Sequence, residues 1–524
     1  MQPQSAPTRF AAEMPTEPSL RHEGPTPKSL LDALLDGAPS ASDRSLGLLE
    51  SFLKASSPAE ALTCWLGPIA DLKDAVGKRA LAQRLNRDIA RLDQLLNRQV
   101  NAILHHPRFQ KLEASWRGLT YLVGQVAEGS NIKVRVLDLS WEELVRDQQR
   151  ALEFDQSQLF RKVYEEEFGT PGGEPFGVLL GDYEIHLHPS AEHPTDDVAT
   201  LGSIASVAAA AFAPFIAAAH PSLLELNSFT GLEKSLDLGR TYAQVEYVKW
   251  RALRQQEDAR FVGLTLPRIL MRLPYRDDSA RPDGFCFREN VEALPDRGGY
   301  LWGNAAYAFG AVLVRAFASS GWLAAIRGVR RGEEEGGVVT GLPVHSFSTD
   351  RLGVAGKTST EIAITEMQDK ELSDQGFLPL CPCPDTELSV FYGSQSLQKP
   401  QTYNEQTATV NARLSAMLQY MLCVSRFAHY LKVIARDKTG KFLGPDECED
   451  YLRRWLMSYT NANDNAGPDI KARHPLREAK VQVREVPGRP GRYMCVAHLR
   501  PHFQLDQMIS TVRLVTRLTT GQAG

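Results

Sequence analysis

The sequence lacks the features that mark several large classes of protein. Its 524 residues include only seven cysteines, an odd and scattered set that makes a poor disulfide framework and is typical of a reducing compartment. The N-terminus has no basic start followed by an apolar core, so we expect no secretory signal there. The formal net charge of -4 provides no overall basic surface for neutralising phosphates, which argues against nucleic acid as the main partner.

Long apolar runs are also scarce. The longest, residues 204–219, is mostly alanine, contains Pro214 and is shorter than the roughly 18 strongly apolar residues that a membrane span requires. We interpret this run as a tightly packed internal helix, with a membrane span as the alternative. The sequence therefore predicts a protein that is not embedded in a membrane.

No catalytic or nucleotide-binding motif is complete. A phosphate-binding loop follows the pattern GxxxxGK[ST], and residues 353–358 come close, but Arg351 stands where the first glycine belongs. No GxSxG, HExxH or GxGxxG sequence is present. Cys381 and Cys383 have neither the CxxC spacing nor a second pair, which is typical of ordinary thiols. The sequence therefore predicts neither an enzyme nor a bound cofactor.

The densest group of potential metal ligands lies along a predicted strand. His186 and His188 would share one face of that strand, with Asp182 and His193 close by in sequence. Zinc sites usually recruit further spaced ligands, and none follows here. We therefore favour hydrogen-bonded histidines at a strand end and predict no metal. A metal-dependent enzyme centred on His186 and His188 is the alternative.

Strand-like and helical segments alternate along the chain, which predicts a mixed α/β fold, and 524 residues are too many for one ordinary core. Residues 81–104 repeat apolar side chains at helical spacing and predict a long amphipathic helix. Residues 132–139 and 176–187 have the pattern of strands. Residues 407–436 predict one long helix, and the polar stretch 399–405 before it marks a domain boundary.

The N-terminal region divides into three parts. Residues 1–27 are rich in proline, serine and glutamate, which predicts a disordered tail. Residues 28–37 predict a short amphipathic helix, and residues 38–98 a further helical region. The apolar face of the short helix consists of Leu30, Leu31, Leu34 and Leu35. Such a helix either docks on its own domain or acts as a tethered peptide that folds into a partner's groove.

The C-terminal region contains two further patterns. Residues 481–486 and 493–499 alternate like strands on either side of a Pro/Gly turn, so they predict a β-ribbon. Its apolar and aromatic positions are Val481, Val483, Val486, Tyr493, Val496 and Leu499. Residues 426–440 predict an amphipathic helix with a basic face, which would by itself be a solvated surface. That basic face includes Arg426, Lys432, Arg436 and Lys438.

Seven phrases, in order along the chain, resemble the large subunit of the type VI secretion contractile sheath, the TssC or VipB family. They read NAILHHPRFQKLEASWRGLTYLVG (101–124), FGVLLGDYE (176–184), RFVGLTLPRILMRLPY (260–275), YLWGNAAYA (300–308), GFLPL (376–380), RFAHYLKVIARDKTG (426–440) and PLREAKVQVREVPGRPGRYMCVAHLRPHFQLD (475–506). Collinear phrases of this length are far more specific than a short motif. Residues from about 40 to 96 match no phrase, which leaves a principal large subunit and a paralogue of it both open.

The resemblance implies a structural role. A subunit of this family pairs with a small sheath subunit, TssB or VipA. It polymerises with other copies around the Hcp inner tube, on a baseplate, and contracts to propel tube and spike into a target cell. The ClpV ATPase then disassembles the contracted sheath, so the ATP chemistry belongs to that partner. The assembly is cytoplasmic and bacterial. A phage-tail-like sheath subunit outside secretion is the alternative.

The resemblance also implies an organisation of the chain. We expect a multi-domain contractile tail-sheath-like subunit, with sheath domains at 99–400 and 401–524 and a C-terminal β-ribbon shared between subunits. The helix at 28–37 would be recognised by ClpV, and residues 38–98 would contact the small subunit. The basic face of 426–440 would meet the inner tube.

Overall fold

The computed structural model describes residues 50–66, 75–234, 237–276, 284–291, 298–329, 336–345, 358–383, 386–437, 444–463, 465–486, 492–502 and 512–519. The chain forms two units, one from Met1–Ala102 with Arg281–Phe287 and one from Ile103–Ala280 with Arg288–Gly524. The predicted tail, the recognition helix with its four leucines, and the loop at 351–357 lie outside the described residues. In the described part, no helix is long and apolar enough to cross a membrane.

The first unit contains helices α1 (Pro58–Leu66) and α2 (Ala75–Leu104), the second of which continues into the other unit. The amphipathic helix predicted over 81–104 is confirmed, and it begins earlier, at Ala75. Its apolar stripe is not covered by the residues that the structure describes, among which Ile89, Leu92 and Leu96 remain 53%, 48% and 47% exposed. An apolar helical stripe normally faces a core, so this one is available to another molecule.

The second unit contains the remaining named helices and all the named strands. The helices are α3 (Pro107–Gly124), α4 (Trp141–Arg150), α5 (Asp197–Ala211), α6 (Leu238–Thr241), α7 (Val248–Gln255), α8 (Ala306–Ser320), α9 (Glu366–Asp374), α10 (Gln406–Ser415), α11 (Leu418–Asp437), α12 (Pro445–Met457) and α13 (Pro468–Arg473). A helical turn at Gln158–Phe160 leads into a π-helix, Arg161–Gly169. Short 3₁₀ turns occur at Phe154–Gln156, Pro221–Leu224, Phe229–Glu233, Val245–Tyr247 and Glu257–Phe261.

The strands form four sheets. They are β1 (Leu179–Ile185), β2 (Phe215–Ala219), β3 (Val262–Leu266), β4 (Ile269–Leu270), β5 (Trp302–Gly303), β6 (Val338–Val339), β7 (Phe377–Pro379), β8 (Cys381–Pro382), β9 (Ser389–Val390), β10 (Leu476–Glu485), β11 (Arg492–Pro501) and β12 (Val512–Thr519). One sheet is parallel, in the order β1-β2-β3-β7, and the other three are antiparallel. The expected mixture of α and β structure is confirmed.

The parallel sheet lies at the centre of the largest hydrophobic cluster. All five residues of β2 and all five of β3 are buried, as expected for strands whose two faces are both covered. A Cβ atom added to Gly263 in β3 would lie 2.9 Å from side-chain atoms of Ile216, Leu378 and Leu418. Glycine at this position therefore lets the start of α11 approach the sheet closely.

The alanine-rich run 204–219 is not a single helix, so that prediction is wrong. Helix α5 ends at Ala211, Phe212 has a left-handed φ of 52°, and β2 starts at Phe215. Pro214 has no N–H group and disfavours a helical conformation in the residue before it. The run therefore folds back on itself and supplies both a buried helix and a buried strand.

Residues 132–139 do not form the predicted strand. They run between α3 and α4 without a helix, turn or bend, and they pair with no strand in the described part of the chain. Most of them are exposed. Alternation of side chains can favour a strand, but a strand needs a hydrogen-bonded neighbour, and within the described residues none lies alongside.

The C-terminal sheet confirms the predicted ribbon and adds a third strand. Strands β10 and β11 pair antiparallel with Val483 opposite Cys495, and β12 pairs with β11 with Val515 opposite Val496. One face of the sheet packs against α11 and α12 in a second hydrophobic cluster. Strand β12, for which the sequence analysis makes no prediction, follows a gap in the described residues.

The single helix predicted over 407–436 is instead two helices, α10 and α11. Met417 forms a bridge with Gln395, and the Ser396 N–H donates to the carbonyl oxygen of Ala416 at 3.2 Å. The Leu418 N–H donates to the Ser394 carbonyl at 2.7 Å. These contacts from a distant segment replace helical hydrogen bonds and end α10 after Ser415.

His429 of α11 is buried, and this predicts a pH dependence of stability. It is 1% exposed, and its Nε2 lies 2.9 Å from the carbonyl oxygen of Ala211. Burial, reinforced by Arg426 and Lys432, lowers its pKa to about 3. Because the unfolded chain then binds a proton first, the contribution of His429 to stability falls as the pH drops below its ordinary pKa.

We expect the free energy of unfolding to lose about 2 kcal/mol between pH 7 and pH 5 through this one residue. His429→Gln removes the titrating group, so the difference in stability between the variant and the wild type should narrow by that amount at pH 5. Chemical denaturation at both values measures it, with the exposed His188→Gln as control. A difference independent of pH would contradict the assignment.

Candidate functional site

The group of predicted metal ligands forms a cluster at the carboxyl ends of β1 and β2. His186 follows β1, His220 follows β2, and Asp197 is the first residue of α5. His193 lies in the loop that leads into α5. Ring nitrogens of His186 and His193 and a carboxylate oxygen of Asp197 all lie within 4.8 Å of one another. By composition, these three side chains resemble a set of metal ligands.

The Asp197 carboxylate is fully engaged in hydrogen bonds. It accepts from Trp141 Nε1 at 2.6 Å, Thr195 Oγ1 at 2.7 Å and the backbone N–H of His186 at 2.9 Å. His193 Nε2 lies 2.8 Å from both of its oxygens. Burial alone would raise the pKa of Asp197, but hydrogen bonds from His186, Thr195 and His193 outweigh it and lower the pKa to about 2. The carboxylate is therefore a buried anion held by several donors.

The three histidine rings stack on one another. The centroid of His186 lies 4.0 Å from that of His193 and 3.8 Å from that of His220, with 25° between the planes in both pairs. A ring nitrogen binds a metal in the plane of its ring, and two nearly parallel planes this far apart do not meet at one ion. Burial, followed by His186, lowers the pKa of His220 to about 4. The geometry favours a hydrogen-bonded network that ties β1, β2 and α5 together.

The residues of the alternative enzyme site do not come together. His188 is exposed, while Asp182 accepts a hydrogen bond from Ser115 of α3. Sequence reasoning misses Asp197 and His220. An acidic pair before an apolar helical run is a capping signal that points to α5. Only the parallel pairing of β1 with β2 brings His220 to the cluster.

We expect the purified chain to contain no stoichiometric transition metal, and His186→Ala to leave the metal content unchanged. The variant should lower the thermal stability, because it removes the central ring of the histidine stack. Elemental analysis and thermal denaturation measure the two effects, with His188→Ala as the exposed control. Loss of a bound metal in His186→Ala, with normal assembly, would instead support the metal-dependent alternative.

The basic face of α11 contacts its own chain. Lys432 Nζ lies 2.7 Å from the Tyr164 hydroxyl and 3.9 Å from the centroid of the Phe168 ring. Arg426 bonds the Tyr430 hydroxyl at 3.2 Å. Arg436 donates to two backbone carbonyl oxygens in the segment after the π-helix, at 2.7 and 3.2 Å. Lys432 and Arg436 hold α11 against the π-helix and the residues that follow it, whereas Arg426 contacts a residue of α11 itself. Their contact with an inner tube stays a prediction, and Lys438 lies outside the described residues.

The residues predicted for the shared ribbon occupy both faces of the sheet and the end of the hairpin. Val481, Val483 and Leu499 lie in the cluster that packs against α11 and α12. Val496 is also buried, but it lies on the opposite face, where it is paired with Gln482. Val486 follows the end of β10, and Tyr493 is half-buried at the start of β11. Their side chains mainly stabilise the chain itself, so any sharing of this sheet between subunits depends on its backbone edges.

The two outer edges of the C-terminal sheet differ. At the β10 edge, the Val483 N–H donates to Glu449 Oε2 of α12 at 2.9 Å, and Asn461 N–H donates to the Leu476 carbonyl at 2.8 Å. Thr460 also bridges Leu476 in parallel. Strand β12 pairs with β11 alone within the described backbone. The β10 edge is therefore covered at Leu476 and Val483, whereas the β12 edge is open within the described backbone.

Comparison with known proteins places the chain. The family model described as the EvpB/VC_A0108 tail sheath N-terminal domain matches residues 86–398, and the tail sheath gpW/gp25-like domain of the same name matches 407–518. The chain is 43% identical over 437 residues to the type VI secretion system sheath protein TssC1 of Pseudomonas aeruginosa, which covers 83% of this chain and 86% of that protein.

A solved structure is also similar at low level. The cryo-EM structure of the anti-feeding prophage baseplate shares 11% identity and matches 68% of this chain and 74% of its own, with a TM-score of 0.30. A likeness at this level carries no argument about the fold.

The chain is therefore a tail sheath protein. It belongs to the TssC/VipB family of type VI secretion sheath proteins and is a large subunit of the contractile sheath. The resemblance read from the collinear phrases is confirmed. Because this family is structural, the prediction that the chain is not an enzyme is confirmed as well.

Proposed function

We propose that the chain pairs with a small sheath subunit of the TssB/VipA kind and polymerises around an Hcp inner tube in the bacterial cytoplasm. The sheath is then anchored on a baseplate, contracts, and is disassembled by ClpV. The observation that carries this proposal is the 43% identity to a type VI sheath protein over 83% of the chain. Sheath domains at 99–400 and 401–524 are part of the proposal.

Neighbouring subunits are held together through the C-terminal sheet. A strand added at the outer edge of β12 would satisfy backbone groups that pair with nothing else among the described residues. The opposite edge is partly covered, by Glu449 at Val483 and by Thr460 and Asn461 at Leu476. The hydrophobic face of the sheet is already packed against α11 and α12, so adding a strand does not require the chain to refold.

The small subunit contacts helix α2. Ile89, Leu92 and Leu96 form an exposed apolar stripe with spacing of one helical turn. Charged side chains flank this stripe, as in a helix that packs against another helix. In this proposal, residues 38–98 contribute a helical contact to the heterodimer.

Contraction is a rearrangement of whole subunits. The core of the second unit is closely packed, so subunits would move as rigid bodies about their interfaces. Strands shared through backbone hydrogen bonds keep neighbours connected during that movement, because such bonds survive rotation of the bodies on either side. The chain supplies mechanical connection in this process, and ATP is used only by ClpV.

We expect co-expression with the neighbouring small sheath subunit to give long tubes in electron micrographs. Leu514→Pro and Val515→Pro, made singly in β12, test the shared sheet, because the N–H groups of adjacent strand residues point to opposite edges. One variant should weaken the pairing with β11 and lower the thermal stability. The other should keep the stability and block polymerisation beyond the heterodimer.

The outcomes distinguish the proposed sheath function from strand addition at the β12 edge. Absence of tubes with the wild-type chain would reject the proposed function. Long tubes from both variants, with wild-type stability in at least one, would reject strand addition at the β12 edge and leave the sheath function standing. The matching Leu514→Ala and Val515→Ala variants keep their N–H groups and serve as controls.

The leucine-rich segment 28–37 is proposed as the handle for ClpV. Deleting residues 29–36 should leave tubes intact and abolish ClpV binding, because the apolar side chains that fill the groove are removed. Pull-down of ClpV by assembled tubes measures this, with replacement of only Asp32 by asparagine as a control that keeps the leucines. Unchanged ClpV binding with a lower thermal stability would show that the helix docks on its own domain instead.

A further inference from the structure

The segment 131–138, between α3 and α4, makes no backbone–backbone hydrogen bond within the described part of the chain. The segment contains no helix, turn or bend. Folded chains usually pair their backbone groups with one another, and where strand edges stay open they are normally protected. Eight consecutive residues with open backbone groups therefore need an explanation.

Ion pairs hold the segment in an extended conformation. Lys133 Nζ lies 2.5 Å from Glu174 Oε1, and Arg135 Nη2 lies 3.5 Å from Glu174 Oε2. Arg135 also pairs with Glu167. Two residues that are two positions apart and reach the same carboxylate lie on one face, as they do in an extended chain. Exposed pairs of this kind add little stability, but a shared network fixes the direction of the segment.

Two further contacts anchor the same region. The Arg135 guanidinium carbon lies 5.7 Å from the centroid of the Phe176 ring, and the Tyr183 hydroxyl donates to the Leu139 carbonyl oxygen at 2.6 Å. Leu139 packs against the main hydrophobic cluster. One face and one end of the segment are thus attached to the chain. Its backbone edges and its other face are left open.

The open face is apolar. Val134 is 38% exposed and Val136 is 70% exposed, and both lie on the face opposite Lys133 and Arg135. Leu137 is exposed as well, but on the face of Lys133 and Arg135. β-Branched residues in this alternating pattern are typical of strands inside a sheet. A fixed, apolar and unpaired strand invites association, and natural proteins usually cover such an edge.

We propose that residues 131–138 are a docking edge that receives a β-strand from the small sheath subunit, forming a sheet across the heterodimer. Only an extended polypeptide offers alternating N–H and C=O groups that complement such an edge. The partner strand is apolar on the side that meets Val134 and Val136. Because the ion pairs order the segment in advance, docking costs less conformational entropy than it would for a flexible loop. The inference rests on the proposed function.

A second copy of the chain fits the edge less well. Antiparallel pairing of the segment with itself about Val134 would place Lys133 opposite Arg135, and like charges directly opposite destabilise a sheet. Such a pairing is also symmetric, so it closes into a dimer. A sheath is an open helical assembly, which requires contacts between different surfaces.

Hydrogen exchange tests the docking edge directly. In the isolated full-length chain, the amides of 131–138 should exchange fast. In tubes assembled with the small subunit, part of them should slow by at least about tenfold, because a ladder hydrogen bond must open before exchange. Equal exchange in the isolated chain and in tubes would overturn the inference while leaving the sheath function intact. Protection that grows with the concentration of the isolated chain would assign the edge to a second copy and also overturn it.

Proline substitutions give an independent test. Val136→Pro and Leu137→Pro remove N–H donors on opposite edges of the segment, and neither donor is used in a backbone hydrogen bond among the described residues. Both variants should keep the thermal stability of the wild type. One should weaken binding of the small subunit by at least about tenfold. Val136→Ala and Leu137→Ala keep the donors and should bind more tightly than that proline variant.

The binding results distinguish the possible failures. If both proline variants remain folded and bind the small subunit like the wild type, the docking edge is rejected. If the wild-type chain itself does not bind the small subunit, the proposed function fails, independently of this segment.

Discussion

The burial of β2 between β1 and β3 is the constraint on which the second unit depends. Its five residues are buried, so the sheet can form only if the chain reverses at Phe212 and enters the interior a second time. That reversal positions the Ala211 carbonyl for His429, which connects α11 to α5. The other end of β2 places His220 against His186 and thereby completes the histidine stack.

Polar groups in the interior of the chain have more complete sets of partners than the groups at its exposed surfaces and strand edges. The Asp197 carboxylate accepts donors from several elements, and Arg426, Lys432 and Arg436 all contact their own chain. By contrast, three features stay open in the described residues, namely the α2 stripe, the 131–138 segment and the outer edge of β12. In a subunit that functions in a polymer, such open features are the surfaces on which we propose that other subunits bind.

The spacing of apolar residues correctly predicts the helices and strands whose stabilising interactions lie close together in sequence. The 3.6-residue spacing over 81–104 and the alternation around the Pro/Gly turn at 487–492 were enough for α2 and for the β10–β11 hairpin. The predictions fail where a distant segment decides. Met417 bridges Gln395 and divides one predicted helix into two, and the turn at Phe212 divides another apolar run. The basic face on α11 looked solvated in sequence because the partners of Lys432 and Arg436 lie more than two hundred residues away.

The strand predicted at 132–139 fails for a different physical reason. No competing segment of the described chain reshapes it, and its side chains alternate as the sequence indicates, with Lys133 and Arg135 on one face. What is missing is the neighbouring strand. Alternation of apolar and polar side chains reflects the environment in which a segment is finally buried. In a polymer, that environment includes other chains. The sequence of one subunit can therefore encode a strand that the folded subunit alone does not complete.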